Sequence, residues 1–543
     1  MRLAVLVSCL ALLGACSTST VPVEDDESSS SKSSSSAKSV LEDSSSSEEG
    51  SSSAIETSSS SVASSDSASS SSAESAESSS SKDPSVCEGT SGKAWDGTTA
   101  KEFACGSGTK LSPYIILTAE QLALLAFVTN AQTSDYVGKY YKLDADIILS
   151  DKMLIDEKGG LIADSSTLEK WTPIGNSSVM FTGYFDGDGH TVSGMFINTT
   201  STYNGLFGYN RGTVENVTVT NSWVKGGDYT AGVIGYSDGS VSNVANEASV
   251  VGVGGCTGSV VGKTSRYIYG LTFYYPAVKT VVNKGVISGE DNVGGVIGCM
   301  AYTDLSDAVN KGEVVGKKLV GGISGSFANL SDKVVKNVQN YGNVTGSSDY
   351  VGGIAGLGAT STRTSCYSGS SYDLSGTLES IYNEGDVIGN NYVGGLFGQA
   401  CGATISNGAN KGAIAGENYV AGLFGNIGYS TMANLYNRGE VSGSYRVGGI
   451  SGLNQENVTN SAYTTAKVDG DSLVGVVIGY NYNTTMADYY YIAVDGVEPF
   501  GLNNGGGVAT VKTADEMKSA AFAELLGDAW SYESSVNDGY PHW

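Results

Sequence analysis

The strongest constraint on this chain is a repeat with a period of 27 residues. The segment NYVGGLFG at 391–398 returns as NYVAGLFG at 418–425, and a glycine closes each copy. We call this residue the marker glycine, and it occurs at Gly208, Gly235, Gly262, Gly298, Gly325, Gly356, Gly398, Gly425, Gly452 and Gly479. The spacings are 27, 27, 36, 27, 31, 42, 27, 27 and 27 residues, so one structural unit recurs with three insertions.

Within a unit the side chains alternate with period two. Asn383, Gly385, Val387 and Gly389 show the pattern, which is typical of a strand and not of a helix. Three short strands in 27 residues cannot close a core alone, so successive units must stack. The sequence therefore predicts an all-β protein, a right-handed parallel β-helix solenoid of about ten coils with about 4.8 Å between coils.

Asparagine recurs at a fixed distance from the marker glycine. Seven copies lie 15 or 16 residues before it: Asn246, Asn283, Asn310, Asn340, Asn383, Asn410 and Asn437. Stacked coils would place these side chains one above another at a turn, where asparagine amides can bond in a ladder. We interpret them as a structural Asn ladder.

Both ends of the repeat carry helix signals. Thr118 with Gln121, and Thr513 with Glu516, have the spacing of capping boxes, and apolar-striped segments follow at 119–130 and 514–526. We expect short helical caps that cover the open ends of the solenoid, where unpaired strand edges would otherwise invite aggregation.

The marker motif resembles the GLUG repeat, named for Gly-Leu-bulky apolar-Gly. It stands here at 205–208, 395–398 and 422–425, with degenerate copies at 295–298 and 353–356. The resemblance covers residues 205–479 and extends to the lead-in FDGDGHTVSGMFI and the ending NDGYPHW. It implies a parallel β-helix. Some bacterial immunoglobulin-A-cleaving metallopeptidases also carry GLUG repeats.

The front of the chain has the pattern of an export signal. Residues 1–16 join one positive charge, a short apolar run and Leu13-Gly14-Ala15-Cys16. The last four resemble the lipobox of bacterial lipoproteins, which implies cleavage after residue 15, lipid attachment at Cys16 and, with Ser17 following, an outer-membrane location exposed at the surface. An ordinary cleaved signal with a chance cysteine is the alternative.

A Ser-rich segment at 16–84 follows the signal. It has few apolar residues to bury, and residues 24–83 carry 13 acidic and three basic side chains. We expect a disordered tether between the lipid anchor and the folded domains. The domain boundaries predicted beyond it are 85–117 for a Cys-linked segment, 118–512 for the β-helix and 513–543 for the C-terminal cap and tail.

Six cysteines remain outside the signal and Cys16. An even number in an exported chain favours disulfides, and no C-x-x-C occurs. Cys87 with Cys105 is the most local pairing. The pairing of the other four stays open: Cys256, Cys299, Cys366 and Cys401.

Charge and histidine count exclude several functions. The net charge of −26 disfavours nucleic acid as a partner. His190 and His542 are the only histidines, so His-based triads and H-E-x-x-H zinc sites are absent. The catalytic half of the immunoglobulin-A-cleaving metallopeptidases is therefore absent as well. We expect no cofactor and no metal.

Carboxylates are the remaining catalytic option. Asp186 and Asp188 lie in FDGDGH, near Asp144 and Asp146 in LDADI. Paired carboxylates can perform acid/base chemistry on a glycosidic bond. The same letters also describe a plain turn between strands, and we favour the turn.

Tyrosines are the more suggestive candidates for binding. Tyr350, Tyr392 and Tyr419 recur six residues before the marker glycine, where rings can pack in register or stack on sugars. An inserted loop holds further aromatics at Tyr267, Tyr269, Tyr274 and Tyr275. Such crowding often marks a binding surface, and a loop cluster whose aromatic side chains cover one another is the alternative.

These patterns favour binding over catalysis. The preferred hypothesis is an exported, lipid-anchored cell-surface binding or adhesion protein that presents the β-helix to glycans or partner proteins. The alternatives are a carbohydrate-active enzyme, either a polysaccharide lyase or a glycosidase, and a structural envelope spacer. The membrane is expected as a partner through the lipid anchor only.

Overall fold

The computed structural model describes residues 87, 89–328, 332–358, 366, 376–484 and 486–543. The predicted signal, lipid-attachment site Cys16 and Ser-rich tether lie outside the described residues. One compact unit spans Ser80–Trp543.

Four parallel sheets form the solenoid, and each coil visits them in turn as sheets 1 to 4. They contain 16, 10, 8 and 11 strands respectively. Each complete coil therefore has four short strands and not the three that the pattern suggested. Adjacent strands within each of these sheets belong to successive coils and run parallel, which confirms the parallel β-solenoid.

The strands of sheet 1 are Tyr114–Ile116, Tyr140–Leu143, Ile147–Ile148, Tyr184–Asp186, Thr191–Ser193, Thr213–Thr220, Ser240–Asn246, Ala277–Asn283, Asp304–Asn310, Val334–Asn340, Thr377–Asn383, Thr404–Asn410, Thr431–Asn437, Val458–Thr464, Tyr489–Ile492 and Ala509–Lys512. Those of sheet 2 are Phe196–Asn198, Trp223–Gly226, Ser249–Gly252, Ile287–Ser288, Val314–Gly316, Val344–Gly346, Val387–Ile388, Ile414–Ala415, Val441–Ser442 and Val468–Asp469.

The strands of sheet 3 are Gly255–Thr257, Asp291–Gly294, Lys318–Gly321, Val351–Gly352, Asn391–Gly394, Asn418–Ala421, Tyr445–Gly448 and Ser472–Gly475. Those of sheet 4 are Phe207–Asn210, Ile234–Ser237, Val261–Thr264, Ile297–Ala301, Ser324–Ala328, Ala355–Gly358, Phe397–Cys401, Phe424–Gly428, Ser451–Gln455, Ile478–Tyr482 and Phe500–Asn503. A separate antiparallel hairpin pairs Tyr267–Tyr269 with Thr272–Tyr274.

The repeat units stack in register. Phe397 pairs with Phe424, and Gln399 pairs with Asn426, so Gly398 lies directly over Gly425. Insertions between units do not disturb this alignment, because Ala355 still pairs with Phe397 across the longest one. The solenoid has about 13 turns. The expectation of about ten was low because the first and last coils belong to sheet 1 without carrying a marker glycine.

Apolar side chains fill the inside of each coil. Leu396, Leu423 and Ile450 occupy equivalent positions and are buried, with Phe397 and Phe424 in the same cluster. A smaller column of valine and isoleucine side chains fills the corner between sheets 2 and 3. Because every coil buries the same positions, removal of large side chains from the interior would leave cavities that neighbouring coils cannot fill.

The second glycine of VGG is explained by the close approach of the Asn ladder. A Cβ atom at Gly395 would overlap the carbonyl oxygen of Gly422 and the amide of Asn410. A Cβ at Gly422 would similarly overlap the amide of Asn437. This position is therefore small because the ladder side chain lies against it.

Both helix-start predictions have the expected geometry. Helix α1 spans Ala119–Asn130, and its capping box joins Thr118 and Gln121. Its buried face belongs to the same apolar cluster as the first coils. At the C terminus, helices α2 (Ala514–Met517) and α3 (Ala520–Leu526) replace the single predicted helix, since Ser519 starts a second N-cap. Short 3-10 turns span Ser134–Tyr136, Ser165–Thr167 and Asn537–Gly539.

The C-terminal helices lie against the outer face of sheet 1. Phe522, Leu526 and Trp530 form one buried cluster with Tyr436 and Tyr463. Those tyrosines point outward from their strands, while Leu435 on the same sheet points into the core. The tail therefore covers the side of the last coils.

Candidate functional site

The inserted aromatic loop forms a hairpin on the outside of the solenoid. Tyr267 pairs with Tyr274 across its two strands, and their rings stack at 4.5 Å with an angle of 6° between planes. At the tip, Tyr269 is 76% exposed and Leu271 is 98% exposed. The hairpin thus has an ordered base and an accessible apolar tip.

Cations fix the base of the hairpin to the coils. The Arg211 guanidinium lies 4.4 Å from the Tyr267 ring centroid, and the Lys333 ammonium lies 4.0 Å from that of Tyr275. Arg211 is itself held by the buried carboxylate of Asp238 at 2.8 Å. Cation–aromatic contacts of this kind are favourable by about 0.5–2 kcal/mol each. The hairpin is therefore anchored from two sides.

A half-buried aromatic cluster continues from the hairpin base along the outer surface of sheet 4. Tyr209 and Tyr236 contact each other at 4.6 Å between centroids, and Tyr229 contacts Tyr236 at 5.6 Å. The Lys263 ammonium lies 5.1 Å from the Tyr229 centroid. Hairpin and cluster together form one aromatic and cationic surface, which we call the aromatic face.

The predicted Tyr column is a packed stack. Tyr350 and Tyr392 stack at 4.8 Å, and Tyr392 and Tyr419 stack at 4.5 Å. Tyr350 is 6% exposed and Tyr392 is 7% exposed, so their ring faces are closed to a ligand. Arg446 ends the stack by lying over the Tyr419 ring at 4.9 Å. This geometry fits packing between coils and not sugar binding.

The Tyr column also has an unusual backbone. Tyr350, Tyr392 and Tyr419 have φ values of 65°, 56° and 58°. Residues of other types keep the same left-handed conformation at the equivalent position, among them Leu319 and Arg446. Because non-glycine residues rarely adopt this conformation, the stacked neighbours must stabilise it. Sequence periodicity gave no signal for it.

Buried tyrosine side chains should make the fold less stable at alkaline pH. Burial, with a smaller contribution from Asp349, raises the pKa of Tyr350 to about 12, and burial likewise raises the pKa of Tyr392 and Tyr436. The fold therefore favours the neutral phenol. Its stabilisation is complete below the unfolded pKa of about 10 and is lost as pH rises through the folded value.

We expect the melting temperature to change little between about pH 7 and 9 and to fall above about pH 10. Thermal denaturation followed by circular dichroism, with tyrosinate absorbance recorded in parallel, measures this. In a Tyr350→Phe, Tyr392→Phe variant the alkaline decrease should be smaller. An unchanged decrease would show that the column does not cause it.

Three disulfides occur among the described residues. Cys87 bonds Cys105, Cys256 bonds Cys299, and Cys366 bonds Cys401. The second joins the Tyr-column position of one coil to sheet 4 of the next, and the third ties the longest insertion to sheet 4. The second bond therefore links two successive coils, and the third secures an insertion.

The Asp186–Asp188 segment forms a structured turn. One oxygen of Asp186 accepts from the backbone N–H of Asp188 and from Asn216, both at 2.8 Å. Asp188 adopts φ 49° and pairs with the Lys142 ammonium at 3.0 Å, which raises the pKa of that ammonium. His190 lies 3.4 Å from Asp146. These contacts serve the turn between two strands.

Metal binding has no support in the described residues. Among them, no group of three or more histidine, cysteine, aspartate or glutamate side chains is placed to hold an ion.

The seven predicted asparagines form a continuous ladder. In the first six, the amide nitrogen donates to the side-chain oxygen of the next asparagine, at 2.7–3.1 Å. The same nitrogen donates to a backbone carbonyl two residues on, as Asn383 does to Gly385 at 2.8 Å. All seven side chains are buried. The ladder therefore supplies a hydrogen-bond partner to a backbone carbonyl at the turn between sheets 1 and 2 in every coil that it spans.

A second polar ladder runs along the outer side of sheet 1. Asn434 donates to Asn407 at 2.9 Å, and Asn337 donates to Asp307 at 3.0 Å. All four have a positive φ. The signal in the sequence was an asparagine or aspartate, residue types that tolerate the left-handed conformation, three residues before five of the seven ladder asparagines; Thr280 and Ser380 hold this position in the other two coils. We did not recognise it from the sequence.

Comparison with known proteins gives limited matches. No family model matches the chain. Over 125 residues, which are 22% of this chain and 12% of the relative, it is 34% identical to a protein from Evansella cellulosilytica named "Putative Gly-rich membrane protein". Over 139 residues, which are 24% of this chain and 1% of the relative, it is 34% identical to halomucin from Haloquadratum walsbyi. The chain thus spans a small part of either relative.

One solved structure aligns over most of the chain. It is described as a "putative immunoglobulin A1 protease" from Bacteroides ovatus, and the alignment covers 81% of this chain and 95% of that one. The identity is 16% and the TM-score is 0.33, too low to carry a functional argument. Within the described residues, no helix is both long enough and apolar enough to span a membrane.

Proposed function

We propose that this protein is an exported, lipid-anchored binding or adhesion protein that presents its aromatic face to glycans or partner proteins at a bacterial cell surface. The observation that carries the proposal is the accessible tip of the hairpin, with Tyr269 and Leu271, on a base held by Arg211 and Lys333. A preorganised aromatic surface loses little entropy on binding, so it favours recognition.

Three further observations support the location. Three disulfides join cysteines of the described residues, and such bonds persist in oxidising compartments. The lipobox-like sequence ending at Cys16 supports attachment to the outer membrane. Similarity to a protein named as a membrane protein agrees with an envelope location.

The test is a binding experiment with tip variants. The full-length protein is screened on a glycan array and on an array of bacterial and host surface proteins, and the strongest ligand is titrated by biolayer interferometry. A Tyr269→Ala, Leu271→Ala variant should bind at least about tenfold more weakly, because exposed anchors of this kind dominate interface energies. Both side chains are largely exposed, so the variant should keep its melting temperature.

A matched control replaces exposed side chains elsewhere. Tyr482→Ala with Leu525→Ala removes the same two residue types and should leave affinity unchanged. If the tip variant binds as well as the control, the aromatic face is not the binding surface. Failure of every array to give a ligand would favour the spacer alternative instead.

A further inference from the structure

A groove lies on the outer face of sheet 1 in the first coils, and none of its lining residues belongs to the aromatic face. It crosses the strands Tyr140–Leu143, Tyr184–Asp186 and Thr213–Thr220 and has a volume of about 580 Å³. This is within the range of about 300–1,000 Å³ that is typical of small-molecule sites. The side chains that matter for recognition are Lys110, Tyr140, Lys142, Tyr184, Asp186 and Glu215.

Two parallel tyrosine rings form an aromatic platform in this groove. Tyr140 and Tyr184 are register partners on adjacent strands, and their rings stack at 4.4 Å with 2° between planes. The next partner of Tyr184 is Thr213, which is too short to cover a ring. Tyr184 is accordingly 47% exposed, whereas the stacked rings of the Tyr column are closed. The apolar face of a sugar ring fits such a platform, because it buries C–H groups against the ring.

A row of charged side chains runs beside the platform. Lys142, Asp186 and Glu215 are successive register partners, so they project along one line of the outer face. The turn occupies one oxygen of Asp186, and Glu215 accepts from Ser242 at 3.2 Å through one oxygen. The second oxygen of each carboxylate has no partner among the described residues. These oxygens can accept hydrogen bonds from hydroxyl groups.

The charges of the groove select against acidic ligands. Lys110 and Lys142 are balanced by Asp186 and Glu215, and the Lys142 ammonium is already paired with Asp188. The chain as a whole carries a net charge of −26. A polymer of uronic acids or sulfated sugars would therefore be repelled, while a neutral sugar would bind without this electrostatic cost.

From this geometry we infer that the groove is a binding subsite for a neutral oligosaccharide. Its sugar rings stack on Tyr184, and its hydroxyl groups bond to Asp186 and Glu215. This inference deepens the proposed binding function and rests on it for the class of ligand, but it involves no residue of the aromatic face. Failure at one surface can thus be told from failure at the other.

The test is isothermal titration calorimetry of the full-length protein with cellohexaose, mannohexaose and maltohexaose, and with hexagalacturonate as the acidic probe. At least one neutral hexaose should bind, and Tyr184→Ala should weaken it by about tenfold. Tyr184→Phe keeps the ring and should retain most of the affinity. The control is Tyr482→Ala, because Tyr482 is also 47% exposed and lies on another sheet.

Several outcomes would overturn the inference. They are absence of binding by all three neutral hexaoses, equal binding by Tyr184→Ala and the control, and tighter binding of hexagalacturonate. Release of reducing ends from a bound hexaose would overturn it in favour of catalysis by Asp186 and Glu215. Retention of hexaose binding in the Tyr269→Ala, Leu271→Ala variant is expected and would show that the groove acts independently of the hairpin.

Discussion

Replacing Asn383 with alanine is expected to lower the free energy of unfolding by about 3 kcal/mol or more, because this one side chain forms buried hydrogen bonds with both neighbouring coils. Asn340 donates to the Asn383 oxygen at 2.7 Å, and Asn383 donates to Asn410 at 2.7 Å. Alanine removes the acceptor of the Asn340 amide hydrogen and the donor to the Asn410 side-chain oxygen. It also frees the carbonyl of Gly385, which accepts from the same amide.

Urea denaturation followed by circular dichroism measures this loss. The matched control is Asn337→Gly in the outer polar ladder, because its bond to Asp307 is exposed to water and glycine adopts its φ of 53° without strain. Water can replace an exposed bond, so this control should cost less than about 1 kcal/mol. Equal losses in the free energy of unfolding for the two variants would mean that burial does not make the inner ladder more stabilising than the outer one.

Hydrogen exchange adds a local readout to the same pair of variants. Stability in stacked repeats depends on contacts between neighbours, so Asn383→Ala should increase amide exchange most in the strands Val334–Asn340, Thr377–Asn383 and Thr404–Asn410. Uniform acceleration along the whole solenoid would instead indicate global unfolding of one cooperative unit.

The inner ladder shows how much of this fold the sequence contains. A fixed 27-residue period, alternation by two and recurring asparagines were sufficient for a parallel β-helix, because stacking requires the same side chain at the same turn in each coil. The predicted number of coils was too low. The strands Tyr140–Leu143 and Ala509–Lys512 pair with the stack through backbone hydrogen bonds and need no marker motif.

The candidate sites were only partly predictable. The inserted aromatic loop was identified from the sequence as a candidate binding surface, and its tip residues Tyr269 and Leu271 are exposed. The burial of Tyr392 was not predictable from its spacing, because the neighbours that cover it come from other coils. Likewise Glu215 lies beside Asp186 only through the register of sheet 1, which no local pattern encodes. Local patterns thus identified the units, while their contacts with one another depend on the stacked structure.

The C-terminal tail provides the second large expected effect, at Tyr463. This ring is buried on the outer face of sheet 1, where it stacks on Tyr436 at 5.3 Å and contacts Trp530 at 5.5 Å. Its hydroxyl donates to the carbonyl of Pro541 at 2.6 Å and accepts from Asn537 at 3.2 Å. Tyr463→Ala should therefore lower the free energy of unfolding by about 3–5 kcal/mol, the usual cost of deleting a buried aromatic side chain.

Tyr463→Phe separates packing from hydrogen bonding. It keeps the ring and removes both hydrogen bonds of the hydroxyl, but Asn537 still donates to the Pro541 carbonyl at 3.0 Å, so its cost should be about 1–2 kcal/mol. Tyr482→Ala, at an exposed site, should cost less than about 1 kcal/mol. Urea denaturation ranks the three variants, and hydrogen exchange over residues 513–543 reports release of the tail. If Tyr463→Ala loses stability while the tail stays protected, then the ring stabilises the coils alone, and Arg438, which bonds Asp538 at 2.7 Å, suffices to hold the tail.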